Sequence, residues 1–330
     1  MKRFAGSLIR GAVFLCSGAF LQACSSGGEP AFLAFRGALS PAHSAAFLQE
    51  HAGSALETRA EDAAETDMEE IGQCRDPKED ETIEARMDGV AVTLMQGIRT
   101  DAGDVLVLPG WAHSRREICR QTRFCRRALE FGYRLVLPEM GKSVYQRDIF
   151  PETRSDWRAE PGRTWVVNVL IPGLQERYGI FRGRRNFLAG LSTGARGVVL
   201  VAMDTGTLFC AGAALSGDYD QTRMPQDRLM RGFYGPYERF SQRWAAVDNP
   251  ASEAEKLRIP MYFGHGSKDP VVPVSQTRDF FERLKPVVRG ASRLHILSAG
   301  HDYAYWDSQM DAVFDFFREV RQKTDCAGIH

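Results

Sequence analysis

The chain has 330 residues, 44% of them hydrophobic and 10% aromatic, with 42 basic side chains against 42 acidic ones. Those fractions suit a globular protein with a proper core. A balanced charge supplies neither the basic footprint of a nucleic-acid binder nor a strong pull toward anionic lipid.

The N-terminus reads MKRFAGSLIRGAVFLCSGAFLQACSSGGEP. Lys2, Arg3 and Arg10 make a positive n-region, and the apolar run of 11–21 is too short to span a bilayer comfortably. This pattern predicts a secretory signal peptide over 1–23. Leu21-Gln22-Ala23-Cys24 resembles the bacterial lipobox, which implies that Cys24 is lipidated and becomes the first mature residue. Ser25 behind it implies sorting to the outer membrane of a Gram-negative envelope. An ordinary signal peptide with a stray cysteine is the alternative. Loss of 1–23 would leave 39 basic against 42 acidic residues, a net charge of −3.

Residues 24–81 are rich in Ala, Glu and Asp, with few large apolar residues after Leu56. They are expected to form an acidic tether between a lipid anchor and a domain over 82–330. Beyond Cys24 the cysteines are Cys74, Cys119, Cys125, Cys210 and Cys326. Their spacings match no zinc pattern, and no His-Glu-x-x-His pair occurs, so no metal or other cofactor is expected. Cys119 and Cys125 fall in one expected helix, about 240° apart round its axis, which argues against a bridge between them. Cys74 and Cys326 flank the domain and are a candidate staple, with connectivity left open.

From 82 onward strands alternate with helices. DVLVLPG (104–110) is a continuous apolar run, and 114–132 has helical spacing up to Gly132. YRLVLPEM is the next strand, and TWVVNVLIPGLQERYG reads as a helix that meets Pro172 early. RNFLAG, FCAGAALSG, IPMYFGHG and SRLHILSAG are four more short strands, with helical patterns at 275–285 and 304–320. Apolar runs without alternation mean strands buried on both faces. Strands separated by helices mean right-handed crossovers and a mostly parallel, doubly wound sheet.

In such a sheet, chemistry sits at the carboxyl ends of strands. Gly190-Leu191-Ser192-Thr193-Gly194 falls there, between NFLAG and a helix. Glycine-flanked serine at a strand-to-helix turn is the nucleophile elbow. A serine needs a base and the base an orienter. Asp269, in GHGSKDPVVP, and His301, in AGHDYAYW, follow in the order Ser, acid, His, each past a strand end. Asp218, in LSGDYD, is the fallback acid, and Asp302 is expected to be structural. Two N–H donors are needed for an oxyanion. The backbone of Thr193 offers one and that of Trp111, in LPGWAHSRR, the other.

These motifs resemble those of the α/β-hydrolase superfamily, of the esterase type near esterase D and feruloyl-esterase-like enzymes. The resemblance implies cleavage of a small-molecule carboxylic ester through an acyl-enzyme, without a cofactor. Many relatives carry His-Gly where this chain has Pro109-Gly110. Two alternatives stand beside a serine esterase. One is a serine peptidase of the prolyl-oligopeptidase type, although the long N-terminal propeller of such enzymes is lacking. The other is a non-catalytic envelope lipoprotein on a hydrolase fold.

Gly141-Lys142-Ser143 is not a phosphate loop, because Val136 stands where that pattern needs a glycine. Residues 218–257 interrupt the strand–helix rhythm beside the triad, as a lid-like insertion. Tyr234, Tyr237, Phe240 and Trp244 there either wall a substrate pocket or pack as core, and packing is favoured for most of them. Oligomeric state is not legible.

Overall fold

The computed structural model describes residues 81–323, apart from 159 and 184. The signal segment, Cys24, the tether up to residue 80, Cys74 and Cys326 lie outside the described residues.

No strand is expected before residue 104, yet the described chain opens on a hairpin. Its arms are β1 (Glu81–Met87) and β2 (Val90–Gln96), with Met87 opposite Val90. Asp88 (φ 49°) and Gly89 (φ 82°) make the two-residue turn, with both central residues left-handed as a type I′ turn requires. The expected strands follow as β3 (Gly103–Leu108), β4 (Tyr133–Pro138), β5 (Asn186–Leu191), β6 (Ala211–Leu215), β7 (Met261–Gly266) and β8 (Arg293–Leu297). They form one sheet in the order β1-β2-β4-β3-β5-β6-β7-β8. β2 runs antiparallel to β1 and β4, and the pairings from β4 to β8 are parallel.

The helices are α1 (Glu117–Gln121), α2 (Phe124–Glu130), α3 (Gly162–Trp165), α4 (Ile171–Tyr178), α5 (Thr193–Thr205), α6 (Arg228–Tyr234), α7 (Tyr237–Ala246), α8 (Ser275–Arg283), α9 (Pro286–Ala291), α10 (Tyr303–Ser308) and α11 (Met310–Lys323). Alternate strand residues feed two separate cores, which is what makes the sheet doubly wound. On one face Leu106, Leu188 and Phe263 pack with Val198 of α5 and Phe280 of α8. On the other, Val105, Leu135 and Phe187 pack with Phe124 of α2 and Phe314 and Phe317 of α11. Each such side chain contributes about 1.5–3 kcal/mol on burial. Among the described residues, no helix is long and apolar enough to cross a membrane.

Two helices differ from expectation. The pattern over 114–132 breaks at Thr122, whose backbone is extended (φ −138°, ψ 167°). The Thr122 hydroxyl donates to the Ile118 carbonyl at 2.6 Å and accepts from the Phe124 N–H at 3.2 Å, so it closes α1 and opens α2. This break corrects the expectation about the cysteines. Two helices replace one, the Cα atoms of Cys119 and Cys125 come within 5.1 Å, and the pair is a disulfide. Cys210 is disulfide-bonded as well. The second difference is at Pro172, which does not interrupt its helix. A π-helical turn, Val166–Leu170, joins α3 to α4, and its wider ladder accommodates a residue with no N–H to give.

The Cys119–Cys125 bridge closes a short loop, so its loss is expected to cost about 2 kcal/mol. Urea denaturation of the Cys119→Ser/Cys125→Ser double variant checks the size, and peptide mapping without reductant checks the pairing. A midpoint equal to that of the parent would contradict it.

Candidate active site

The carboxyl end of β5 meets the first turn of α5 at Ser192, whose φ of 54° and ψ of −123° lie in a region rarely used by residues with a side chain. The turn is held open for it by the absence of two Cβ atoms. One on Gly194 would sit 2.0 Å from the Leu108 carbonyl oxygen, and one on Gly190 2.4 Å from that of Gly194. The Ser192 N–H donates to the Leu215 carbonyl at 2.8 Å, which ties the elbow to the end of β6.

The three residues expected to act together are brought together. His301 Nε2 lies 3.0 Å from Ser192 Oγ, and His301 Nδ1 lies 2.6 Å from Asp269 Oδ2. A carboxylate only accepts, so Nδ1 carries the proton and Nε2 is left to accept from the serine hydroxyl. The His301 side chain is 9% exposed and that of Asp269 is fully buried. The Trp306 ring stands edge-on to the imidazole at 5.1 Å and is itself pinned by its indole N–H to Ser216 Oγ at 3.1 Å. Asp269 Oδ1 accepts from the Val271 and Val272 N–H groups, each at 2.8 Å. Burial pushes its carboxyl upward. Hydrogen bonds from His265, His301 and the Val272 N–H outweigh that and hold it well below the ordinary carboxylate range.

Asp218 does not join this group. Arg196 on α5, fully buried, donates to its Oδ2 at 2.8 Å. The same guanidinium reaches the Val144 carbonyl at 3.2 Å, Gln221 Oε1 at 2.5 Å and the Asp248 carbonyl. Asp218 therefore neutralises a buried arginine that nails the insertion to the helix behind Ser192. Asp302 caps α10, accepting from the Tyr305 N–H at 2.8 Å.

The loop after β3 carries Trp111. Among the described residues, no carbonyl takes the N–H of Trp111 or of Thr193. The loop is braced from behind by residues not foreseen in the sequence. The Ala112 N–H donates to the Gly141 carbonyl at 2.9 Å, and the buried Tyr145 hydroxyl donates to the Pro109 carbonyl at 2.8 Å. Lys142, in the Gly141-Lys142-Ser143 segment, pairs with Asp156 at 2.9 Å. His113 Nδ1 sits 2.8 Å from the Tyr303 hydroxyl. Burial and the neighbouring His301 pull its imidazole down, against the opposing pull of Glu117. No local pattern marks Tyr145 or His113, because their partners come from distant segments.

The insertion is packed. Tyr234 and Trp244 are fully buried in a small core with Trp157 and Phe233, and Tyr237 and Phe240 lie half-buried against it. Trp111 leans edge-on to Trp157 at 4.7 Å and to Phe233 at 5.9 Å. A recess of about 650 Å³ beside β1 is lined by Arg86, Arg115, Arg116 and Arg120, but Ser192, Asp269 and His301 do not line it. Glu84, Glu117 and Glu139 neutralise three of its arginines. Among the described residues, no group of three or more His, Cys, Asp or Glu side chains could hold a metal ion.

No protein-family profile matches the sequence, and no curated protein matches it. Solved structures do. Fluorophosphonate-binding serine hydrolase F of Staphylococcus aureus is 15% identical, with a TM-score of 0.55 over 73% of this chain and 99% of that one. S-formylglutathione hydrolase of Staphylococcus aureus is 16% identical, with a TM-score of 0.54 over 72% and 98%. A ferulic acid esterase is 14% identical, with a TM-score of 0.54 over 73% and 98%. These likenesses show the fold, an eight-stranded, mostly parallel α/β-hydrolase sheet.

Removing the charge from Asp218 leaves the Arg196 guanidinium buried and short of its counter-ion. Asp218→Asn is therefore expected to lower stability by about 3 kcal/mol. Chemical denaturation measures it, and a change below about 0.5 kcal/mol would show that Arg196 does not depend on the pair.

Proposed function

We propose that this protein is a serine hydrolase that cleaves a small-molecule carboxylic ester through an acyl-enzyme. The observation that carries the reading is the unbroken chain Ser192 Oγ, His301 Nε2, His301 Nδ1, Asp269 Oδ2 at 3.0 and 2.6 Å, built on a left-handed elbow. In this reading Ser192 passes its proton to His301 Nε2 as Oγ attacks the acyl carbon. Asp269 holds the imidazole in the tautomer that accepts it and stabilises the imidazolium formed. The carbonyl oxygen becomes negative and is received by the N–H groups of Trp111 and Thr193, with the N-terminal end of α5 behind them. His301 then returns the proton to the leaving alkoxide. Water repeats the sequence and frees the acid. No step needs a metal or a cofactor.

The fold neighbours add support, being by their own descriptions a serine hydrolase, an S-formylglutathione hydrolase and a ferulic acid esterase. Ser192→Ala is expected to lower ester turnover by roughly five to six orders of magnitude without loss of the fold. Asp269→Asn should fall steeply as well, because the wrong histidine tautomer is favoured. p-Nitrophenyl esters of graded acyl length, run beside peptide amides, check both claims. Ester turnover that survives Ser192→Ala would overturn the assignment, and faster cleavage of the amides would favour the peptidase.

The same reading extends to location. We infer that the protein is exported and anchored in the cell envelope through Cys24, and so faces a membrane without spanning it. The charged and apolar pattern of 1–23 supports this, as does the Cys119–Cys125 disulfide, which suits an oxidising compartment. Two acyl chains, at about 0.8 kcal/mol per buried methylene, hold such an anchor stably. Cys24→Ser should move the protein out of the membrane fraction or leave it uncleaved. Wild-type protein found wholly soluble, with residue 24 unmodified by mass spectrometry, would contradict the anchor.

A further inference from the structure

The triad acid has a fourth polar neighbour, whose one ring proton is shared with a backbone carbonyl and which the reaction as written does not use. His265 stands next to last in β7 and has no exposed surface. Its Nε2 lies 2.9 Å from the Val272 carbonyl and 3.2 Å from Asp269 Oδ2, the same oxygen that receives His301. Its Nδ1 lies 2.6 Å from Thr277 Oγ1 in the first turn of α8. Both groups facing Nε2 only accept, so Nε2 carries the ring proton. Nδ1 is then bare and accepts from the Thr277 hydroxyl. Every polar atom of the ring is thus engaged, and the partners leave one tautomer.

This places a second imidazole on the far side of Asp269 from the first. Oδ1 is fixed by two backbone N–H groups, whereas Oδ2 is shared by two histidines. His301 takes and returns a proton at Nε2 during turnover, and the charge on the ring that holds Oδ2 through Nδ1–H changes as it does so. A buried carboxylate oxygen held by one mobile ring alone leaves the carboxyl plane freer to turn than one held by a second, fixed donor. His265 is a donor that does not move, because Thr277 and the Val272 carbonyl hold its ring at both ends. We propose that His265 is a positioning residue for Asp269, and that Thr277 sets the tautomer in which it works, so that the carboxylate stays charged and in plane throughout turnover. This rests on the reading of Ser192, His301 and Asp269 as the catalytic group.

The test compares His265→Leu, His265→Gln and Thr277→Val with the parent and with Ser192→Ala. Turnover of a p-nitrophenyl ester is counted per site titrated by a fluorophosphonate, so that unfolded protein does not enter. Loss of one hydrogen bond to a charged group corresponds to a fall of about 10- to 100-fold in kcat for His265→Leu, with KM little changed. The Gln Nε2 can donate to Asp269 while its Oε1 accepts from Thr277, so His265→Gln should recover much of that loss. Thr277→Val, which keeps the shape, should lose about 3- to 10-fold. In proton NMR of the free enzyme, the downfield Nδ1 proton of His301 should shift or broaden in His265→Leu and return in His265→Gln. Per-site kcat within twofold of the parent in His265→Leu, with that resonance in place, would overturn the proposal. Should His265→Leu not fold, an unchanged kcat in Thr277→Val would overturn it equally. Failure of the underlying reading looks different, since Ser192→Ala would then keep its turnover or its label.

Discussion

The left-handed backbone of Ser192 is the constraint on which the rest of the site depends. A non-glycine residue in that region costs of order 1–3 kcal/mol and persists only where its surroundings leave no alternative. Here the surroundings are the crossing of α5 over β5 and β3. Gly194 lies against the carbonyl oxygens of Leu108 and Pro109, and Gly190 lies beneath Gly194. Helix and strands approach more closely than a methyl group permits, so the chain between them can only turn sharply outward. The serine hydroxyl is lifted above the sheet by that turn, and the free N–H groups of the first turn of α5 are left around it.

The other parts of the site are fastened to the same crossing. Tyr145 lies over Gly197 of α5 and donates to the Pro109 carbonyl, so the Trp111 loop is held to the helix that presents Ser192. Arg196, one turn along from Ser192, gathers the insertion through Asp218, Gln221 and Asp248. Asp269 and His301 arrive from the ends of β7 and β8, and the Ser216 N–H donates to the Gly264 carbonyl across β6 and β7. A parallel sheet brings these loops to one edge. The close packing behind Ser192 holds Ser192, His301 and Asp269 within hydrogen-bond distance of one another.

Much of this was legible in the sequence because the signals are local. Ser192 and Asp269 each follow a strand buried throughout, β5 and β7, whereas His301 follows the half-buried edge strand β8, and glycine or proline marks the turn beside each. The hairpin of β1 and β2 carries an equally local signal in Asp88-Gly89, a pair suited to a type I′ turn, but its arms lack the continuous apolar character of β5 and β7. The helix break at Thr122 had no such mark. Helical spacing continues through it, and the disulfide and the threonine hydroxyl decide the matter together. Arg196 and Tyr145 were illegible for another reason. Arg196 meets Asp248 across 52 residues of chain and Tyr145 meets Pro109 across 36. A buried polar side chain is given its role by partners that only the fold brings near.

The account stands on Ser192 becoming covalently acylated during turnover. Wild-type protein mixed with a p-nitrophenyl ester, quenched in acid within milliseconds and examined by intact mass and peptide mapping, tests this directly. The expected result is a species heavier by one acyl group, with the addition on the peptide that contains Ser192, formed together with the first equivalent of p-nitrophenol. Turnover with no acylated species under conditions where deacylation is slow, or acylation on another residue, would contradict it.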